Sequence, residues 1–231
     1  MLDWVDTVRR MEEMNPDEFA QALEESPVAY VPMGTLEFHG YHLPIGNDAL
    51  KAHAVCLRAA EQTGGVVLPP QFWGMGGGHK AWMTSIIVEA ETVRSGLEVT
   101  LRRLVEMGFR AIVVVTGHYP GEQVELVKAV AKTIGAEAGG RCQMWALPEY
   151  EAYMGEGPAR SDHAAIWETS ILMELRPELV NLAALDDHSD DPLAGVYGTD
   201  PRRATLDLGK ETVDGIVAGL VAWVQGALGG R

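Results

Sequence analysis

Apolar and polar positions change period several times along the chain, and the changes divide it into alternating elements. Residues 28–33 are an unbroken apolar run bounded by proline and glycine, which predicts a short buried strand. Residues 111–116, Ala-Ile-Val-Val-Val-Thr, carry the strongest strand signal. They are almost continuously β-branched, as in a parallel strand covered on both faces. Further strands are expected over 66–68, 83–89 and 141–147. Between them, apolar residues recur at spacings of three and four. Trp4, Val5, Val8 and Met11 predict a helix over 3–14, and Pro16 suits the first turn of a second over 17–24. Asp48 opens a third, with Leu50, Ala54 and Leu57 on one stripe and Gly64-Gly65 as its stop.

Val93, Leu97, Leu101 and Leu104 predict a helix over 92–107, and another occupies 122–138. Asp162 starts a helix that runs to 175, and Val213, Ile216, Val217, Leu220 and Val224 share one face of a last helix over about 202–227. Residues 181–201 read as a long polar connection. This alternation predicts an α/β fold with a mostly parallel sheet and helices on both faces, organised as one domain over 1–231.

Composition narrows the partners. There are 18 basic against 33 acidic residues among 231, a formal charge of −15, which repels nucleic acid and anionic membranes. The two cysteines, Cys56 and Cys142, form no CxxC pair and are expected as buried free thiols. The first residues lack the apolar core of a signal peptide, and the apolar stretch 215–224 is too short to span a bilayer, so a cytoplasmic protein is expected. The glycine-rich segment 74–79 lacks the spacing of a phosphate loop and has only Lys80 at hand as a cation. It is expected to be a mobile, substrate-facing loop.

The candidate chemistry is concentrated in residues 31–48, where Glu37, His39, His42 and Asp48 are interleaved with glycine and proline just past a strand. Nitrogen and oxygen donors on such a loop suit a divalent metal. Glu37 and His39, two apart, share one side of an extended segment. His118 follows the most apolar strand, and open α/β sheets place their sites beyond the carboxyl ends of strands. Glu168 lies on an otherwise apolar helix face with Ala164, Ala165, Ile171, Leu172 and Leu175, so it needs a partner, either a metal ion or a buried arginine in a salt bridge. His163 is placed at the first turn of that helix and faces the same edge.

Taken in order, Gly34-Thr-Leu-Glu37-Phe-His39-Gly-Tyr-His42-Leu-Pro-Ile-Gly-Asn-Asp48 resembles the signature of the creatininase (creatinine amidohydrolase) family. The segments Thr116-Gly-His118-Tyr119, His163-Ala-Ala-Ile-Trp-Glu168-Thr-Ser and Gly198-Thr-Asp-Pro-Arg-Arg-Ala-Thr205 match in the same order. The resemblance implies a three-layer α/β/α domain, a homo-oligomer that is commonly a hexamer, and two divalent ions per subunit, zinc and/or manganese. Carried over by position, Glu37, His39, Asp48, His118 and Glu168 are the metal ligands, with Asp48 as the bridge. His163 is the catalytic residue beside the scissile bond, Tyr119 contacts a small-molecule substrate, and His42 packs behind the loop. The implied reaction is hydrolysis of a non-peptide, cyclic or formyl C–N amide by metal-activated water.

Other activities known on this fold are hydrolysis of cyclic keto-sugars and peptide maturation, and a different class is a non-catalytic metal- or metabolite-binding protein. The chain departs from creatininase in three places. Pro120 stands where that enzyme has a metal-site glutamate, with Glu122 as the nearest acid. Ala159 stands in place of a substrate-packing tryptophan, which leaves Trp73, Trp82 and Trp145 as possible substitutes. Segment 74–85 differs as well. The resemblance therefore carries metal-dependent hydrolysis further than it carries creatinine as the substrate.

Overall fold

The computed structural model describes residues 9–78, 81–156, 161–188 and 190–229. Its sheet has five strands: β1 Arg9–Arg10, β2 Val28–Met33, β3 Val66–Val67, β4 Ala111–Thr116 and β5 Gln143–Pro148. Their order is β1–β3–β2–β4–β5, and every pairing is parallel. The helices are α1 Pro16–Glu25, α2 Asn47–Thr63, α3 Ala90–Met107, α4 Gly121–Glu137, α5 Ile166–Leu175 and α6 Leu206–Gly229.

The pleat explains the unbroken apolar strands. Ala29, Val31, Met33, Ile112 and Val114 face one core with α3 and α4, while Val28, Tyr30, Ala111, Val113 and Val115 face a second core with α2 and α6. A strand buried on both faces has no polar side to show in its sequence. The three layers expected from the alternation are present.

β2 and β4 are neighbours from Val28 opposite Ala111 to Met33 opposite Thr116. From β2 the chain passes through α2 on one face to β3. From β4 it passes through α4 on the other face to β5, on the opposite side of the sheet. The loops after β2 and β4 thus diverge and leave a crevice at the carboxyl edge.

Four expectations change. Residues 3–8 of the first expected helix lie outside the described residues; Arg9–Arg10 pair with β3, and Met11–Glu13 make only one 3-10 turn. Residues 83–89 are not a strand but join two isolated bridges, Leu36 with Ile86 and Gly74 with Ile87. Met83 is 97% and Ile86 51% exposed, so this apolar run lies on the surface rather than inside a sheet.

The helix expected from Asp162 begins at Ile166. Asp162 instead accepts the N–H groups of Trp167 (2.8 Å) and Glu168 (3.1 Å) from outside the helix, while Ala164 turns the chain at φ 52°. His163 consequently precedes the helix, in a bridge with Tyr197. Residues 182–188 and 201–203 of the polar connection and the last expected helix are 3-10 turns, and α6 starts at Leu206. At 24 residues, α6 exceeds the apolar stretch recognised in the sequence and is long and apolar enough to cross a membrane. Its inward face, from Val213 to Val224, is nevertheless buried in the core against α2 and α5.

Candidate metal centre

The crevice is built around Asp48, in the first turn of α2, where the helix dipole favours a carboxylate. The residues that follow β2 and β4 clasp this turn. A Cβ at Gly34 would come within 2.2 Å of Ala49 N, and one at Gly117 within 2.1 Å of Asp48 O. Only glycine permits backbones this close. The same two loops then deliver Glu37 and His39 after β2, and His118 after β4. Glu168 arrives from the first turn of α5. All five side chains are at most 2% exposed.

Asp48 belongs to two groups of potential ligands. Its Oδ2 lies 3.0 Å from His118 Nδ1, which is also 3.1 Å from Glu37 Oε2. Its Oδ1 lies 2.8 Å from His39 Nε2, which is 3.5 Å from Glu168 Oε2. Within each group, Glu37–Asp48–His118 and His39–Asp48–Glu168, the donor atoms all lie within 4.8 Å of one another. The far nitrogen of each ring is already engaged: His39 Nδ1 with the Glu37 carbonyl (3.0 Å) and His118 Nε2 with the Met75 carbonyl (3.1 Å). Each carbonyl takes the N–H of the far nitrogen, so the near nitrogen is the one left to bond a cation: a metal ion, or without one a second proton shared with the carboxylates. That is the orientation of metal-ligating histidine.

Electrostatics agrees. Burial works against a charged ring, yet Asp48 with Glu168 pushes His39 up to about 9, and Asp48 with Glu37 pushes His118 up to about 10. Burial also opposes the Asp48 charge, but the two histidines outweigh it and hold the acid far below the carboxylate range. Without metal, then, protons occupy the space between the groups. His39 Nε2 and Asp48 Oδ2 remain buried without a well-directed hydrogen bond. Divalent cations fit this set of three carboxylates and two imidazoles.

The floor opens into a cavity of about 280 Å³ lined by His163, Tyr119, Asp162, Tyr197, Gly77 and Gly78 among others. His163 lies beside this cluster: its ring centroid is 4.2 Å from that of His39, and Nε2 meets the Phe38 carbonyl at 3.0 Å. Burial, reinforced by His39, lowers its pKa. Tyr119 borders the cavity, but its hydroxyl turns inward and donates to Glu149 Oε1 at 2.7 Å. His42 packs behind the site against Thr169 Oγ1 (2.9 Å).

Glu122 lies against Gly76 and belongs to none of the ligand groups found among the described residues. Trp73 is exposed, Trp82 stacks on Phe38 at 4.1 Å and Trp145 on Trp223 at 5.6 Å. None of the three lines the cavity, whose aromatic wall is Tyr119 and Tyr197. Ala159, His79 and Lys80 lie outside the described residues.

Sequence reasoning missed Lys51 and Glu149, both 0% exposed behind Glu168. Lys51 is three residues from Asp48, so its place on the buried side of α2 was the available signal. Asp162 was recognised only as a helix start. Burial, with Glu168 nearby, pushes it up to about 6, and it faces the cavity.

A family model described as creatinine amidohydrolase matches residues 12–224. The chain belongs to the creatininase family. It is 29% identical over 198 residues to the creatinine amidohydrolase of Pseudomonas putida, covering 76% of this chain and 75% of that one. It is 30% identical over 231 aligned positions to the mycofactocin precursor peptide peptidase of Mycobacterium ulcerans, covering 87% of each. A creatininase crystal structure superposes with a TM-score of 0.78 at 22% identity, over 94% of this chain and 96% of that one. Other creatininase structures of the same fold include a zinc–zinc type (TM-score 0.76, 22% identity, 94% and 96% covered) and a manganese form (TM-score 0.76, 21%, 94% and 97%).

Proposed function

We propose that this creatininase-family amidohydrolase uses two divalent ions, zinc and/or manganese, to hydrolyse a small non-peptide C–N amide of cyclic or formyl type. The observation that carries the reading is Asp48, shared between two buried three-ligand groups. Glu37, Asp48 and His118 would hold one ion, and His39, Asp48 and Glu168 the other. Such a pair, when bound, supplies hydroxide at neutral pH and polarises the amide carbonyl.

The chain's own residues complete the chemistry. The lowered pKa of His163 keeps it neutral near pH 7, and its contact with the Phe38 carbonyl places the proton on Nε2. Nδ1 is then the basic nitrogen. It takes the proton released as water adds to the carbonyl and returns it to the departing nitrogen when the C–N bond breaks. Water is consumed, and a carboxylic acid and an amine (or the ring-opened amino acid) are formed.

The cavity bounds the substrate. A space of about 280 Å³ suits a small molecule, and among the described residues its lining carries Glu37, Asp48, Asp162 and Glu168. Similarity to a precursor peptide peptidase across 87% of both chains favours a second reading, hydrolysis of a peptide.

The test is a screen of metal-loaded protein on lactams, cyclic imides, formamides and short peptides. Turnover of the first three classes is expected. Turnover confined to peptides would establish the second reading instead.

A further inference from the structure

Four carboxylates lie buried around this site: Glu37, Asp48, Glu168 and Glu149. Three of them belong to the ligand groups. Glu149, from the end of β5, does not. Between Glu149 and Glu168 sits Lys51. Its ammonium donates to Glu168 Oε1 at 2.6 Å and to the Tyr119 hydroxyl at 2.5 Å, and pairs with Glu149 Oε1 at 2.8 Å. The Tyr119 hydroxyl in turn donates to Glu149 Oε1 at 2.7 Å, closing a ring of three. The opposite oxygen of Glu168, Oε2, accepts the Ala164 N–H at 2.7 Å and is the one that faces His39 and Asp48.

We propose that Lys51 is a positioning residue for one cation position only: it pins Glu168 Oε1 so that the carboxylate presents Oε2 alone to the His39–Asp48–Glu168 group. The inference rests on the two-position reading above. Geometry makes the effect selective. Lys51 has no bond to Glu37 or His118, and Asp48 is fixed independently by its place in the clasp of Gly34 and Gly117. Glu168 has no comparable backbone clasp, and a single N–H from Ala164 does not fix the rotation of a carboxylate about its last bond. The ammonium supplies the second point of attachment. Partners that orient a ligand in this way change metal affinity by about 10–100-fold when removed.

The proposal predicts how metal uptake divides between positions. Metal-free protein is titrated with Mn2+, and free ion is followed by its electron paramagnetic resonance signal. The unaltered protein is expected to bind about two ions per chain. One ion or none would fail the two-position reading itself rather than the role of Lys51. Lys51→Met should weaken one binding event at least tenfold and leave the other unchanged.

Lys51→Met leaves Glu149 buried with the Tyr119 hydroxyl but no cation beside it, a change that can prevent folding. The double variant K51M/E149L removes the ion pair together and replaces it with apolar volume, a change that buried pairs tolerate. Glu168 still loses its anchor, so the same selective weakening is expected. Two events of unaltered affinity in the folded double variant would overturn the proposal and leave Lys51 as core filling. Equal weakening of both events would also overturn it, because Lys51 would then support the site as a whole.

Discussion

On the floor of the cavity, Glu37, His39, Asp48, His118 and Glu168 are at most 2% exposed, and each ring is fixed by a backbone carbonyl on its far side. Outside the cavity lining lies an outer rim, in which Trp73, Met83 and Ile86 are 54%, 97% and 51% exposed and segment 83–89 is tied down by isolated bridges to Leu36 and Gly74. The floor grows out of the sheet, since its loops leave the neighbouring strands β2 and β4 and two of its carboxylates, Asp48 and Glu168, sit in helix first turns. The rim is attached to the floor without adding to the core. The difference teaches that the ligand cluster is fixed by the core, whereas segment 83–89 is attached outside it; of the chain's departures from creatininase, Pro120 borders the cavity itself.

Breaking the floor should therefore be costly. Asp48→Asn removes the shared carboxylate from both groups, so metal analysis should find both ions lost and turnover reduced more than a thousandfold, about 4 kcal/mol of barrier. If the variant keeps two ions, Asp48 is not the bridge. His163→Ala separates chemistry from binding. Metal content should be retained while kcat falls about 10²–10⁴-fold. Loss of metal in this variant would place His163 among the ligands instead.

Metal removal gives a pH signature confined to the floor. In the metal-free protein, His39 and His118 are pushed up to about 9 and about 10 in the folded state. Their contribution to stability is complete below the ordinary histidine value of about 6.5 and is lost as pH rises through about 9–10. Asp48 and Glu37 are depressed, so their contribution is present above the ordinary carboxylate range and is lost as pH falls. Chemical denaturation across pH should show the metal-free protein weakening between pH 7 and 10 while the metal-loaded protein does not. Parallel curves would mean that metal does not replace those protons.

The rim should respond least. Trp82→Ala removes the stack on Phe38, with an expected loss of about 0.5–1.5 kcal/mol in stability and no change in metal content. Met83→Ser, at a nearly fully exposed position, should change stability by no more than about 0.5 kcal/mol. Loss of metal in either variant would abolish the distinction between floor and rim.

The same division governed what the sequence disclosed. β2 and β4 were legible because burial on both faces leaves an unbroken apolar run, and the ligands were legible because their donor types sit at fixed spacing just after those strands. Residues 83–89 misled because β-branched and apolar residues predict a strand whether or not a neighbouring strand exists to pair with them. Asp162 reads as the helix start, since a cap acting from five and six residues away looks the same in sequence as one adjacent to the helix. Lys51 was hidden for a different reason. A lysine on an amphipathic helix ordinarily faces water, and only the arrival of Glu149 from β5 and Glu168 from α5 accounts for its burial.

The central claim is that Asp48 joins two cation positions in one site. Elemental analysis of the purified chain, read together with its amidase activity before and after chelation, tests it most directly. Two divalent ions per chain are predicted, with activity lost on chelation and restored by zinc or manganese. A folded protein that hydrolyses its substrate with no metal, or with a single ion at saturation, would contradict it.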